Sequence, residues 1–202
     1  MSKVLRKIRS WSSGAGSLKV LAVGLVGGLI IFASAGTFMT YANSENFCTN
    51  ACHEMTSTVA VEYKGTIHDT NRTGVRATCN DCHVPHGYIT NYLAKLGLFN
   101  DYWGHFVTGS INTKEKFEAK RPELAKRVWV NMKSNDSREC RRCHTAAKMD
   151  PERQTDKAKV RHEKGRNQGL TCIECHFAIS HQEPEGPGPQ ELFADKATDA
   201  AK

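Results

Sequence analysis

The chain has 202 residues, of which 28 are basic and 21 acidic, for a net charge of +7. Five of the basic residues, Lys3, Arg6, Lys7, Arg9 and Lys19, precede the first acid, Glu45, which leaves 23 basic against 21 acidic residues in the remainder. A nearly neutral body behind a short basic arm argues against a nucleic-acid partner, which would need the excess on the folded part, and the length admits one domain or two small ones.

The arm occupies residues 1–19. From Val20 to Ser44 no residue is charged, and "VLAVGLVGGLIIFASAGTFMTYA" is long enough to cross a bilayer core of about 30 Å as a helix. A cleaved signal peptide competes, because Ala33-Ser34-Ala35 resembles a cleavage site. The apolar core runs on to Tyr41, however, beyond the roughly 7–15 residues of a signal peptide. The pattern therefore predicts a retained single-pass anchor over residues 20–44. Basic residues before it keep the N-terminus in the cytoplasm. The rest then lies outside, in the periplasm of a Gram-negative bacterium. Gly24 and Gly28 form a GxxxG that suits helix pairing and so a homo-oligomer through the span.

Eight cysteines follow the span: Cys48, Cys52, Cys79, Cys82, Cys140, Cys143, Cys172 and Cys175. Disulfides, zinc sites and a thioredoxin-like pair each account for some of them. The residue after each second cysteine separates these readings, since it is always histidine: His53, His83, His144 and His176. Cys-x-x-Cys-His is the attachment motif of c-type haem. Its thiols form thioethers to the vinyl groups, and its imidazole reaches the iron. Three copies are regular. The first, "FCTNACHEM", has one residue too many between its cysteines and Met55 two places beyond its histidine.

Four haems need further ligands, and five histidines are left: His68, His86, His105, His162 and His181. Motif histidines fall 30 apart in the first half and 32 apart in the second. One spare histidine lies inside each interval, His68 and His162, and one follows each second motif, His86 and His181. The pattern reads as a duplicated dihaem unit, residues 45–105 and 130–181. His105 has no counterpart and reads as a bystander. Pairing across the halves gives His181 to His83, His86 to His176 and His68 to His144, with His162 aimed at the first haem.

Helices are predicted at "YITNYLAKLGLFNDYWGHF" and "TKEKFEAKRPELAKRVWVNMKS", with no strand pattern. The fold class is mainly α and irregular: one transmembrane helix, then a tetrahaem cytochrome c domain over residues 45–181 whose core is largely porphyrin. The tail, residues 182–202, is rich in Pro, Gly and charge and reads as mobile.

The anchor, "CHEM", "HDTNRTGVRATCNDCHVPH", "TKEKFEAKRPELAKRVW", "MKSNDSRECRRCH" and "TCIECHFAISH" together resemble the NapC/NirT family of membrane-anchored tetrahaem quinol dehydrogenases, and most closely its NapC branch. The resemblance implies four covalent haems. It implies oxidation of menaquinol or ubiquinol at the membrane face near haem 1. It implies onward transfer to a periplasmic reductase, nitrate reductase foremost, with nitrite, trimethylamine oxide and dimethyl sulfoxide reductases as alternatives. It also implies that the methionine of the first motif, here Met55, binds iron with an acid at the other face. The extra residue leaves Met55 and His53 as alternatives. Lys95 and Asp101 are the implied quinol residues. An electron relay with no quinone site is the competing function.

Overall fold

The computed structural model describes residues 15–199, and among them there is no strand. The predicted basic arm lies outside the described residues as far as residue 14. The chain divides into two compact units, one ending at Ser44 and the other beginning at Glu45.

The first unit is one helix, α1 (Ala15–Ala42), of 28 residues. At 1.5 Å per residue it is about 42 Å long, more than a hydrocarbon core requires. It begins before Val20, so Lys19 sits inside it, where a long side chain can carry its charge toward a headgroup. Its large apolar side chains are exposed on all sides, from Leu21 to Phe38. The hydroxyls of Thr37 and Thr40 donate to the carbonyls of Ala33 and Gly36, at 2.9 and 3.0 Å. Polar groups satisfied within the helix are what an apolar solvent demands.

The second unit is built from short helices: α2 (Glu45–Asn50), α3 (His53–Ser57), α4 (Val59–Tyr63) and α5 (Cys79–His83). There follow α6 (Tyr88–Gly97), α7 (Phe99–Tyr102) and a π-helical turn, Trp103–Val107. The longest is α8 (Lys114–Ser134), capped by Thr113, whose hydroxyl accepts from Lys116 N. Beyond it lie α9 (Arg138–Cys143), α10 (Asp156–Asn167), a 3-10 turn (Cys172–Glu174) and α11 (Pro189–Asp199). The helix expected over "YITNYLAKLGLFNDYWGHF" is thus interrupted after Gly97, a residue that weakens helix interiors.

Protein alone supplies little core. Among the described residues of this unit the buried apolar side chains are Tyr63, Val84, Phe117, Trp129, Met132 and Ile173. A domain of this size needs more buried apolar surface than that. Trp129, Met132 and Ile173 make one cluster, joined by Ala125, Val128, Phe177, Leu192 and Phe193. The last two belong to α11, which corrects the mobile tail expected from composition. Pro189 is fully buried, and Lys133 stands 4.3 Å over the Phe193 ring while pairing with buried Glu174. Burial of an apolar pair outweighs the Pro/Gly-rich stretch that leads to it.

Candidate functional site

The regular motifs build their own caps. In Thr78-Cys79-Asn80-Asp81-Cys82-His83 the Asp81 carboxylate accepts from Thr78 N at 2.8 Å, closing a capping box over α5. Thr171 and Glu174 repeat the device at the fourth motif, at 2.7 Å. The third is fixed to the fourth: buried Ser137, held left-handed at φ 48°, accepts through its hydroxyl from Ile173 N at 3.1 Å. The first motif differs. Its extra residue divides it between helices, with Cys48 in α2, Cys52 extended, and His53 opening α3. His53 therefore leaves on a new helical direction.

The motifs stand in series. The Cys48 and Cys79 thiols lie close together, and Cys79 pulls the Cys48 thiol down to about 7. Burial, and then the nearby Cys140 thiol, push the Cys82 thiol up to about 11. Cys140 is raised by burial and by Cys172. None of the eight cysteines is in a disulfide.

Each regular motif histidine faces a second imidazole. His83 and His181 stand 6.1 Å apart between ring centres, His144 and His68 6.2 Å, and His176 and His162 6.0 Å. Two imidazole nitrogens on one iron stand about 4 Å apart, at a metal–nitrogen bond of about 2 Å, which puts the ring centres about 6 Å apart. The three gaps fit an iron. Desolvation pushes His83 down to about 4 and lowers His176 and His181, so these rings are neutral near pH 7, the form that binds metal. The expected pairings of His86 with His176, and of His162 with the first haem, are corrected. His162 faces His176 from α10, and exposed His86 points Nε2 at Asp81, 3.6 Å away.

At the first motif the arrangement changes. His53 faces His105 at 5.4 Å, closer than an iron between two imidazoles requires. Both rings turn Nδ1 toward the carboxylate of Glu54, which is 2.7 Å from His105 and 3.7 Å from His53. Glu54 is 2 % exposed. Met55 is half-buried on α3. Lys95 lies close enough to Cys48 for its charge to lower that thiol, and Asp101 close enough to Cys52 to raise it. Desolvation lowers half-buried Lys95 and raises Asp101, which still keeps an exposed edge. Asp101 also lines a pocket of about 260 Å³ with Asn100, Gly104, Ser110, Lys120 and Arg127.

Several residues that hold these groups carry no motif. Gln154 Oε1 accepts from His162 Nδ1 at 2.7 Å, whereas Nδ1 of His68 and of His181 is buried without a hydrogen-bond partner. Arg121 grips both oxygens of Glu62, at 2.6 and 2.9 Å, and Glu62 accepts from Gln182 N beside His181. The Tyr63 hydroxyl donates to the backbone carbonyls of His68 and Ala77. His105 was discoverable only as the fifth spare histidine, and Glu54 only by its place inside "CHEM".

A model of the NapC/NirT cytochrome c family, N-terminal region, matches residues 10–186. The chain is 47% identical over 167 residues to "Denitrification system component NirT" of Stutzerimonas stutzeri, covering 83% of this chain and 82% of that protein. It is 43% identical over 166 residues to "Cytochrome c-type protein NapC" of Escherichia coli (strain K12), covering 82% of each. It is 42% identical over 178 residues to "Putative tetraheme cytochrome-c type" of Allochromatium vinosum, covering 87% of this chain and 95% of that protein. No solved structure matches.

Proposed function

The chain belongs to the NapC/NirT cytochrome c family and is a membrane-anchored c-type cytochrome of electron transfer, and on that footing we propose that it binds four covalent haems and oxidises quinol beside the first. Electrons then pass to a periplasmic reductase, nitrate reductase foremost, with the N-terminus of α1 in the cytoplasm. The observation that carries this reading is the convergence of Lys95 on Cys48 and of Asp101 on Cys52. The charges of both implied quinol residues reach thiols of the same motif, although six positions separate them in the chain.

The haems, when bound, supply one-electron carriers, so a two-electron donor can be emptied one electron at a time. The residues do the rest. The eight thiols fix the carriers in the series of the motifs. His83 with His181, His144 with His68 and His176 with His162 hold the second, third and fourth irons. At the first, Met55 holds the iron, with His53 as the alternative. The Lys95 ammonium donates to a quinol oxygen. The Asp101 carboxylate, its proton affinity raised by burial, accepts the hydroxyl proton.

The test uses the full-length holoprotein in detergent. Intact mass is expected to show four haems per chain, and a menaquinol analogue is expected to reduce them within seconds. Haems that accept electrons from dithionite but not from the analogue would overturn the quinol site and leave a relay. A mass short by one haem would show the divided first motif unloaded.

Gln154 gives a further expectation. A hydrogen bond to the far nitrogen of a ligating imidazole makes it a stronger donor and favours the oxidised iron. Gln154→Leu is expected to raise the midpoint potential of one haem, and Gln154→Glu to lower it, in redox titrations followed by EPR. All four potentials moving together would refute the assignment of Gln154 to a single haem.

A further inference from the structure

The chain beyond the fourth motif turns back and lies along it. A Cβ at Gly188 would stand 3.2 Å from the Phe177 ring, so that close approach needs glycine. Pro189 is fully buried. Gln190 Nε2 donates to Cys175 Sγ at 3.0 Å. Leu192 and Phe193 join the cluster of Trp129, Met132 and Ile173, and Lys133 stands over the Phe193 ring while pairing with Glu174. Residues 188–193 thus pass residues 177–173 in reverse order, with Gln190 set on the second attachment cysteine. A porphyrin seated on the motif adds to this burial and takes none away. The family model stops at residue 186, so α11 lies outside the stretch that the family match describes.

Apolar burial accounts for Pro189, Leu192 and Phe193. It does not account for Gln190, whose amide could be satisfied by water, yet whose N–H meets sulfur. In the loaded protein that sulfur carries a vinyl-derived carbon in place of its proton and keeps its lone pairs, so it still accepts, weakly. It is then one carbon removed from the edge of the macrocycle. The positive end of a donor placed there draws electron density from the ring and favours ferrous iron, and hydrogen bonding around the group is one of the levers on a haem potential. We propose that α11 is a tuning element of the fourth haem, in which Gln190 raises the potential through the Cys175 sulfur. The haem held by His176 and His162 is then acted on from two sides with opposite sign. Gln154 accepts from His162 Nδ1 and favours ferric iron, while Gln190 donates to the sulfur and favours ferrous iron. This rests on covalent haem at the fourth motif and not on quinol oxidation.

The test reads potentials, not turnover, in full-length holoprotein whose haem count is known from intact mass. Gln190→Leu is expected to lower the midpoint potential of one haem in a redox titration followed by EPR, with its low-spin signal kept and the other three potentials unmoved. That haem is expected to be the one whose low-spin signal His162→Ala removes, and Gln154→Leu is expected to move it the opposite way. Gln190→Lys, which keeps a donor at the position, is expected not to lower it. Four unmoved potentials in Gln190→Leu would overturn the proposal, and so would a shift confined to any other haem or shared by all four. A helix that only packs would leave the potential indifferent to which of these side chains stands at 190. A second measurement needs no variant: hydrogen exchange in the wild-type holoprotein is expected to be slower over residues 190–193 than over residues 183–187. Equal exchange would show the seat open and sink the proposal. Wild-type protein lacking the fourth haem would sink the haem reading itself, whereas four haems with unmoved potentials would sink only the role of α11.

Discussion

His162→Ala is expected to convert one haem in four from low-spin to high-spin, while His86→Ala leaves all four spectra unchanged. Sequence symmetry gave His86 to His176 and His162 to the first haem, and geometry reverses the choice at His176. The His162 ring stands 6.0 Å from that of His176, a gap that fits one iron, and Gln154 holds its Nδ1 so that Nε2 is free. His86 lies between α5 and α6, 3.6 Å from an Asp81 whose carboxylate already accepts from Thr78 and stays partly solvated. An exposed pair of that kind contributes little, and its loss should move neither ligation nor fold. A ligand removed from six-coordinate low-spin iron leaves five-coordinate iron or one with a weakly held water, and the spin state changes outright. Added imidazole should restore the low-spin signal in His162→Ala, which a general loss of structure would not allow. High-spin iron in His86→Ala, with His162→Ala silent, would return the ligand to the position that symmetry favours.

The parts of this molecule that follow covalent chemistry were legible from its residues. Cys-x-x-Cys-His is a chemical requirement written contiguously, and a charge-free stretch beyond Val20 is a solvent requirement written the same way. The capping boxes Thr78-x-x-Asp81 and Thr171-x-x-Glu174, which lie across the motifs, emerged only from the structure. Of the distal partners, His181 and His68 were read from the duplication and stand opposite His83 and His144, but His162 was not, because which imidazole crosses to the fourth iron depends on how α10 packs. The packed tail escaped for a different reason. Its composition is that of a linker, and two side chains, Leu192 and Phe193, override it. His105 escaped because its partner Glu54 is 51 residues away and gains its meaning only when buried.

Lys95→Gln is expected to slow quinol-dependent reduction about ten- to a hundredfold, since a hydrogen bond from a charged donor is worth ~1.5–3 kcal/mol. Reduction by dithionite and all haem spectra should stay as they are, because Lys95 is neither an attachment cysteine nor one of the proposed iron ligands. Six residues on a regular helix turn about 600°, so Lys95 and Asp101 would stand roughly 120° apart. The interruption between α6, ending at Gly97, and α7, beginning at Phe99, lies between them. The result is a site flanked from two sides: Lys95 toward Cys48, Asp101 toward Cys52. A quinol held between them would have one oxygen on the ammonium and one hydroxyl within reach of the carboxylate. Burial raises the Asp101 pKa, so its carboxylate is partly protonated at higher pH than an ordinary aspartate would be. The unprotonated form is the one that accepts a proton. The quinol rate should therefore fall as pH drops through that raised pKa, and Asp101→Asn should abolish this limb of the profile along with most of the rate. Full quinol oxidation retained by both variants would remove the two residues from the site, and the donor would then have to meet the first haem through the Asp101-independent part of its surroundings, Glu54 and His105.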